Sequence, residues 1–266
     1  MSRLAQRFAQ LQAENKKALV SYVMAGDPTP SVTVPLLHDM VVAGVDILEV
    51  GLPFSDPMAD GPVIAVAAER AIAGGTNTLD AIQMVKEFRQ NDQDTPVVLM
   101  GYLNPVEVIG YEKFVEIAND AGVDGLILVD LPPEEAQDFN AILAKHDMDQ
   151  VFLLAPTSTD ERIAHVVKQA RGFIYYVSLK GVTGAATLDT KSAADRIAKI
   201  KQVTDLPVGV GFGISDAASA KAMGQVADAV IVGSAFVKPF ATLSPSEASA
   251  KAVEKVKELR AALDEL

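Results

Sequence analysis

Glu49 and Asp60 share one segment, DILEVGLPFSDPMADGP, at residues 46–62. Glu49 stands inside an apolar run, and Asp60 stands at the far end of a proline-rich loop, directly before Gly61-Pro62. A carboxylate among apolar residues is costly to desolvate unless it is paired or keeps its proton. A carboxyl that keeps its proton can act as a general acid near neutral pH. A second carboxylate in a more polar place stays ionised and can hold a positive or N–H group. The two acids thus have the residue types for proton transfer coupled to charge stabilisation. For Asp60 a helix N-cap is the competing reading, since an acid ahead of Gly-Pro suits that position. For Glu49 the alternative is pairing with a buried cation.

A second constellation lies late in the chain. GVGFGIS (209–215) and IVGSAFVK (231–238) each follow a short apolar run, and the second leads into a short helix beginning near Ser234. Glycines let backbone amides approach an anion, and a helix start adds a favourable dipole. Gly211, Gly213, Gly233 and Ser234 are the phosphate-binding candidates; tight turns, which also need glycine, are the alternative. SLKGVTGAAT (178–187) has the composition of a lid, with Gly184 within reach of the same phosphate, or of an ordinary flexible loop. Lys180 in it has the chemistry of a Schiff-base nucleophile, but a loop position beside Gly181 suits solvent or interface contact better. Tyr22, Tyr102 and Tyr175 sit near strand ends and suit either a ring pocket or rim packing. His38, His146 and His165 are scattered over helical patterns and do not read as a metal set. Asn104-Pro105 reads as a cap and first-turn proline.

The elements that must position these groups follow one repeated unit: a short apolar run, a Gly/Pro/Asp loop, then an amphipathic helix. Eight runs recur: ALVSYVM, DILEV, PVVLM, GLILV, QVFLLA, GFIYYVS, PVGVGF and AVIVG. Helices are expected over 31–43, 78–89, 111–121, 134–145, 160–170, 215–223 and 246–263, with caps at Thr78, Thr159-Asp160 and Ser215-Asp216. Alternation implies a parallel sheet, and continuous apolar strands imply burial on both faces. Eight units fit a single-domain (β/α)8 TIM barrel over 1–266, with an extra N-terminal helix and a short phosphate-binding helix after the eighth strand. A doubly wound open sheet shares the local periodicity. Paired glycine loops after the seventh and eighth strands favour the barrel.

Composition narrows the function classes. Cysteine is absent, which excludes disulfides and thiolate chemistry. A net charge of −12 argues against nucleic acid as the main partner. No apolar run is long enough to span a bilayer, and the first residues form an amphipathic pattern without a signal-peptide core, so a cytoplasmic location is expected.

Four segments, LEVGLPFSDPMADGP, MGYLNP, KGVTG and GFGIS, resemble the tryptophan synthase α-subunit family, and the resemblance runs from YVMAGDP to GSAFVK. It implies a cofactor-free retro-aldol lyase that cleaves indole-3-glycerol phosphate to indole and glyceraldehyde 3-phosphate. It implies Glu49 as the general acid/base and Asp60 as the carboxylate that receives the indole N–H. Phosphate ligands map to Gly184, Gly213, Gly233 and Ser234. The indole pocket maps to Tyr22, Met100, Tyr102, Leu126, Val129, Tyr175 and Phe212. Asp56 and Thr183 are implied to meet on lid closure and to couple the site to a partner. That partner is a β subunit carrying pyridoxal phosphate, in an α2β2 heterotetramer that passes indole between active sites. It is expected to dock on loops around 53–57, 102–109 and 131–133. The chain departs from the family pattern at Tyr22 (commonly Phe), Met58 and Met100 (commonly Leu), Ala65 (commonly Gln) and Leu179-Lys180 (commonly with an Arg).

Overall fold

The computed structural model describes residues 2–177, 190–211 and 213–266. Its strands are β1 (Ala18–Met24), β2 (Ile47–Gly51), β3 (Val97–Gly101), β4 (Gly125–Leu128), β5 (Asp149–Gln150), β6 (Phe152–Leu154), β7 (Ile174–Val177), β8 (Val208–Gly211) and β9 (Ala229–Val232). Every pairing is parallel, in the order β5-β4-β3-β2-β1-β9-β8-β7-β6. The two ends of that order, β5 and β6, are separated in the chain by Val151 alone. β5 pairs with β4 and β6 pairs with β7, so the sheet closes on itself through Val151. The expected fifth run is therefore one staggered strand that changes partners, and the ring has eight chain segments. A closed ring decides against the open doubly wound sheet.

Strand alternation sorts the side chains into two layers. Val20, Ile47, Val98, Ile127, Val151, Phe173, Ala229 and Ile231 fill the barrel interior. Their neighbours, such as Leu19, Leu48, Val97, Leu99, Leu126 and Val230, pack outward against the helices. The N-terminal helix Arg3–Ala13 supplies Leu4, Phe8 and Leu11 to the interior cluster, where Phe8 meets Phe173 at 5.8 Å between ring centroids. Burying that apolar stripe plugs the end of the barrel at which the strands begin.

Aspartates hold the same end. The carboxylates of Asp46, Asp124 and Asp228 each accept a main-chain N–H at the start of a neighbouring strand, from Leu19, Val97 and Val208, at 2.8 Å in each case. Each also faces a cation: Arg260 at 3.0 Å, Arg89 at 2.8 Å and Lys201 at 2.7 Å respectively. These acids pin strand starts and lie at the opposite end from the glycine loops, which is the end associated with stability rather than chemistry in barrels.

The helices fall close to the expected ranges: Pro30–Ala43, Thr78–Phe88, Tyr111–Asp120, Gln137–Lys145, Asp160–Gln169, Ala217–Gly224 and Pro245–Leu263. Thr159 and Asp216 cap as expected, Thr159 accepting from Arg162 N and Asp216 from Ser219 N. Thr78 does not cap; Asn77 does, in a reciprocal box with Asp80. Nor does Asn104 cap. The helix Leu103–Ile109 starts two residues earlier, with Tyr102 at its N-cap, and Asp130 accepts the Leu103 N–H at 2.8 Å.

Candidate active site

Glu49 is the third residue of β2 and stands level with Tyr22 on β1 and Val98 on β3. The alternation that buries Ile47 inside the barrel turns Glu49 the same way, one layer nearer the strands' C-terminal ends. Glu49 is 1% exposed, and its Oε2 has no hydrogen-bond partner among the described residues. No cation pairs with it there, which leaves the buried-cation reading without support. Burial, reinforced by the negative Asp60, pushes its carboxyl up to about 8. At neutral pH the group holds its proton, as a general acid requires.

Asp60 resolves differently. The helix that follows, Pro62–Ala73, has Gly61 at its N-cap and no side-chain cap bond, so Asp60 is not the cap. Instead Tyr102 donates its hydroxyl to Asp60 Oδ2 at 3.1 Å, while the Ala59 N–H donates to the same Tyr102 oxygen at 3.0 Å. Burial raises the Asp60 carboxyl and the Tyr102 bond offsets part of that rise. Tyr102 is backed by Phe54, 5.3 Å away between ring centroids. Asp60 and Tyr102 line one small cavity with Tyr22, Met24, Leu52, Phe54, Pro57, Ala68, Met100, Gly101 and Val129. It is a narrow slot of aromatic and aliphatic side chains whose polar side-chain groups are the Asp60 carboxylate and the Tyr22 and Tyr102 hydroxyls.

The order β2-β1-β9-β8 places the glycine loops beside the acids. Gly211 ends β8, Gly213 has φ +76°, and Gly233 separates β9 from the short helix Ser234–Val237. A Cβ on Gly233 would lie 3.4 Å from Tyr22 Cβ, so the cradle and the ring slot share Tyr22 as a wall. Two glycines also make room for tyrosines. A Cβ on Gly51 would come within 2.2 Å of the Tyr22 hydroxyl, and one on Gly211 within 2.3 Å of the Tyr175 hydroxyl. Burial, with Glu49 as the negative neighbour, holds the Tyr175 hydroxyl well above its ordinary range.

Tyr22, Met100, Val129 and Tyr175 all belong to the interior clusters, as the pocket assignment needs. Leu126 does not. It is buried against the helix layer, and the pleat turns Ile127 into the barrel in its place. A one-residue difference on a strand exchanges the two faces, and an apolar run such as GLILV carries no mark of which is which. Ser234 is at the start of its helix, and Asp56 is exposed, accepting from Ser55 Oγ at 2.6 Å. Lys180, Thr183, Gly184 and Phe212 lie outside the described residues. No metal-binding cluster occurs among those described.

One supporting pair was not singled out from sequence. Asp27, in the loop after β1, receives a bidentate grip from Arg70 on the Pro62–Ala73 helix, at 2.7 Å on each oxygen. The pair ties the helix that follows Asp60 to the strand that carries Tyr22. AGDP marks a special loop, but nothing in the sequence indicates which arginine meets its aspartate.

A closed parallel barrel with one buried and one half-buried carboxylate and a glycine cradle at the C-terminal ends of its strands defines a (β/α)8-barrel enzyme. Residues 8–265 match the family model described as tryptophan synthase alpha chain. The chain belongs to that family. It is 78% identical to the tryptophan synthase alpha chain of Acinetobacter baumannii and 79% identical to that of Acinetobacter baylyi, in both cases over all of each chain. Among solved structures it superposes on the alpha subunit of Legionella pneumophila with a TM-score of 0.91 at 41% identity, over all of both chains. It also superposes on a tryptophan synthase chain of M. tuberculosis, in its aminoacrylate-bound form, with a TM-score of 0.88 at 37% identity, covering 99% of this chain and 100% of that one. The chain is accordingly a lyase of tryptophan biosynthesis that cleaves indole-3-glycerol phosphate to indole and glyceraldehyde 3-phosphate.

Proposed function

We propose that Glu49 and Asp60 carry this cleavage. Indole is a poor leaving group as a carbanion, and protonating the ring carbon that bears the side chain turns the ring into an electron sink. Glu49 delivers that proton. The ring nitrogen of the resulting indolenine is positive, and ionised Asp60 holds its N–H. Glu49, now ionised, takes the proton of the adjacent side-chain hydroxyl. As the carbonyl forms, the carbon–carbon bond breaks and its electrons return to the ring. The hydroxyl proton remains on Glu49, which restores the acid. The observation that carries the assignment is the carboxyl of Glu49, buried inside the barrel with no partner for Oε2 among the described residues and pushed up to about 8.

Gly213, Gly233 and Ser234 hold the substrate phosphate, with Gly211 alongside and Gly184 contributed by the 178–189 segment. Tyr22, Met100, Tyr102, Val129 and Tyr175 wall the indole, with Phe212, and Ile127 takes the place assigned to Leu126. Asp56 and Thr183 couple the site to the partner. The whole chain, 1–266, acts as one cytoplasmic barrel domain. Its β-subunit partner carries pyridoxal phosphate, forms an α2β2 heterotetramer with it and receives the indole. Two exposed apolar side chains support the docking face: Met58 (84% exposed) beside the 53–57 loop and Val108 (79%) on the Leu103–Ile109 helix. Such side chains are costly to leave in water and suit an interface.

The test is release of indole from indole-3-glycerol phosphate by the chain with its β subunit present. Glu49→Gln should lose at least about 100-fold in turnover, as removal of general acid–base assistance requires. Near wild-type turnover in that variant would overturn the assignment.

A further inference from the structure

We infer that Tyr22 is more than a wall of the ring slot: its hydroxyl is a positioning group for Asp60, the second donor beside Tyr102. The inference rests on the role of Asp60 proposed above. Tyr22 is 6% exposed, and its side chain runs from the glycine cradle to β2. At its base, Cβ lies against Gly233 of the cradle, and at its tip, the hydroxyl lies over Gly51, two residues beyond Glu49. The tip occupies room that exists only because residue 51 has no side chain. The hydroxyl comes nearest, at 2.2 Å from a Cβ placed there, with ring carbons at 2.7 and 3.0 Å, so the whole phenol tip is seated against residue 51.

The oxygen has little to bind in the resting protein. Among the described residues its hydrogen-bond contact is the thioether Sδ of Met24 at 4.0 Å, a weak acceptor. A buried hydroxyl with no better partner costs stability unless it is used in another state. The residues around the cavity offer one strong acceptor, Asp60, whose Oδ2 already takes the Tyr102 hydroxyl. A carboxylate has capacity for two or more donors on each oxygen, so a second phenol can be added without displacing the first. Burial and the negative charge of Asp60, then Glu49, hold the Tyr22 phenol well above its ordinary range. It therefore remains a donor throughout the working pH range. When the substrate ring enters and its nitrogen becomes positive, Asp60 must be ionised and aimed. Two phenol donors in a narrow slot favour the ionised form and fix the direction of the carboxylate.

The experiment is steady-state cleavage of indole-3-glycerol phosphate by the full chain with its β subunit, comparing wild type, Tyr22→Phe, Asp60→Asn and the double variant. Phe keeps the ring, so a structural role alone would leave activity untouched. The expected result is a roughly tenfold fall in kcat for Tyr22→Phe with KM changed by less than about twofold, the size of one hydrogen bond to a charged group. In the Asp60→Asn background the same change should have no further effect. The acid limb of the kcat/KM profile should also move to higher pH in Tyr22→Phe, because ionised Asp60 has lost a donor. The ionisable groups facing this site are Glu49 from β2, Tyr102 from the end of β3, and Asp27 with Arg70 from the loop after β1 and its neighbouring helix. Tyr22→Phe with kcat within about twofold of wild type would overturn the inference. So would an equal further loss in the Asp60→Asn background, since the hydroxyl would then act elsewhere. Full turnover by Asp60→Asn would instead overturn the proposed role of Asp60, and this inference with it.

Discussion

Replacing Glu49 by Gln should make the protein more stable at alkaline pH while removing its activity. Burial, with help from Asp60, raises the carboxyl from 4.5 to about 8. Below 4.5 the group is protonated in both folded and unfolded chains and has no effect on the pH dependence. Between 4.5 and 8 the unfolded chain gives up the proton and the folded chain keeps it, so the folded state binds more protons and stability falls as pH rises. The slope is about 1.4 kcal/mol per pH unit. Across the whole interval the loss amounts to about 5 kcal/mol, complete just above pH 8. That is a large share of a typical folding free energy, about 5–15 kcal/mol. The glutamine side chain has no proton to lose, so the variant should lack this pH dependence. Urea unfolding followed by circular dichroism from about pH 5 to about pH 9 is the assay. The two proteins should differ least near the acid end, and Glu49→Gln should gain on wild type steadily toward alkaline pH. In parallel, turnover of the wild type should fall above about pH 8 as Glu49 ionises. Parallel stability curves for the two proteins across that range would refute the claim that Glu49 is held protonated by burial.

Three further outcomes are expected. Gly211→Ala puts a Cβ 2.3 Å from the Tyr175 hydroxyl and 2.7 Å from two of its ring carbons, and should cost about 1–3 kcal/mol by overpacking, a cost that Tyr175→Phe in the same chain leaves largely in place because the ring carbons remain; urea midpoints decide. Arg89→Ala removes a guanidinium that bonds Asp124, Thr95 O and Gly122 O at 2.7–2.9 Å. It should cost about 3 kcal/mol in the same assay, with KM unchanged, because Asp124 is left buried with Arg3 as its one cation among the described residues. Met58→Asp should weaken association with the β subunit at least about tenfold in a calorimetric titration, while cleavage by the isolated chain changes little.

The split fifth strand shows why local pattern stops short of topology. QVFLLA has a single apolar run, yet its first part pairs with one neighbour and its last part with the other, because a closed ring must join its ends somewhere. Asp60 shows the same limit for chemistry. Its place before Gly61-Pro62 fits a cap on sequence, and only the three-dimensional arrangement, with Gly61 at the cap and Tyr102 arriving from a distant strand end, excludes it.

Residue types and their order determined much by themselves. The repeated strand–helix unit, the acid inside an apolar strand, the paired glycine loops late in the chain and the family motifs are all local, and local patterns survive without coordinates. The tertiary structure decided what depends on residues far apart in sequence. It closed the ring through Val151, turned Ile127 inward instead of Leu126, matched Arg70 to Asp27, and set two glycines opposite two tyrosine hydroxyls. Above all it decided how Glu49 is held. A sequence shows a carboxyl among apolar neighbours, but its proton affinity depends on what surrounds it in space: among the described residues, no cation pairs with it, no donor reaches Oε2, and a second acid, Asp60, adds its negative charge.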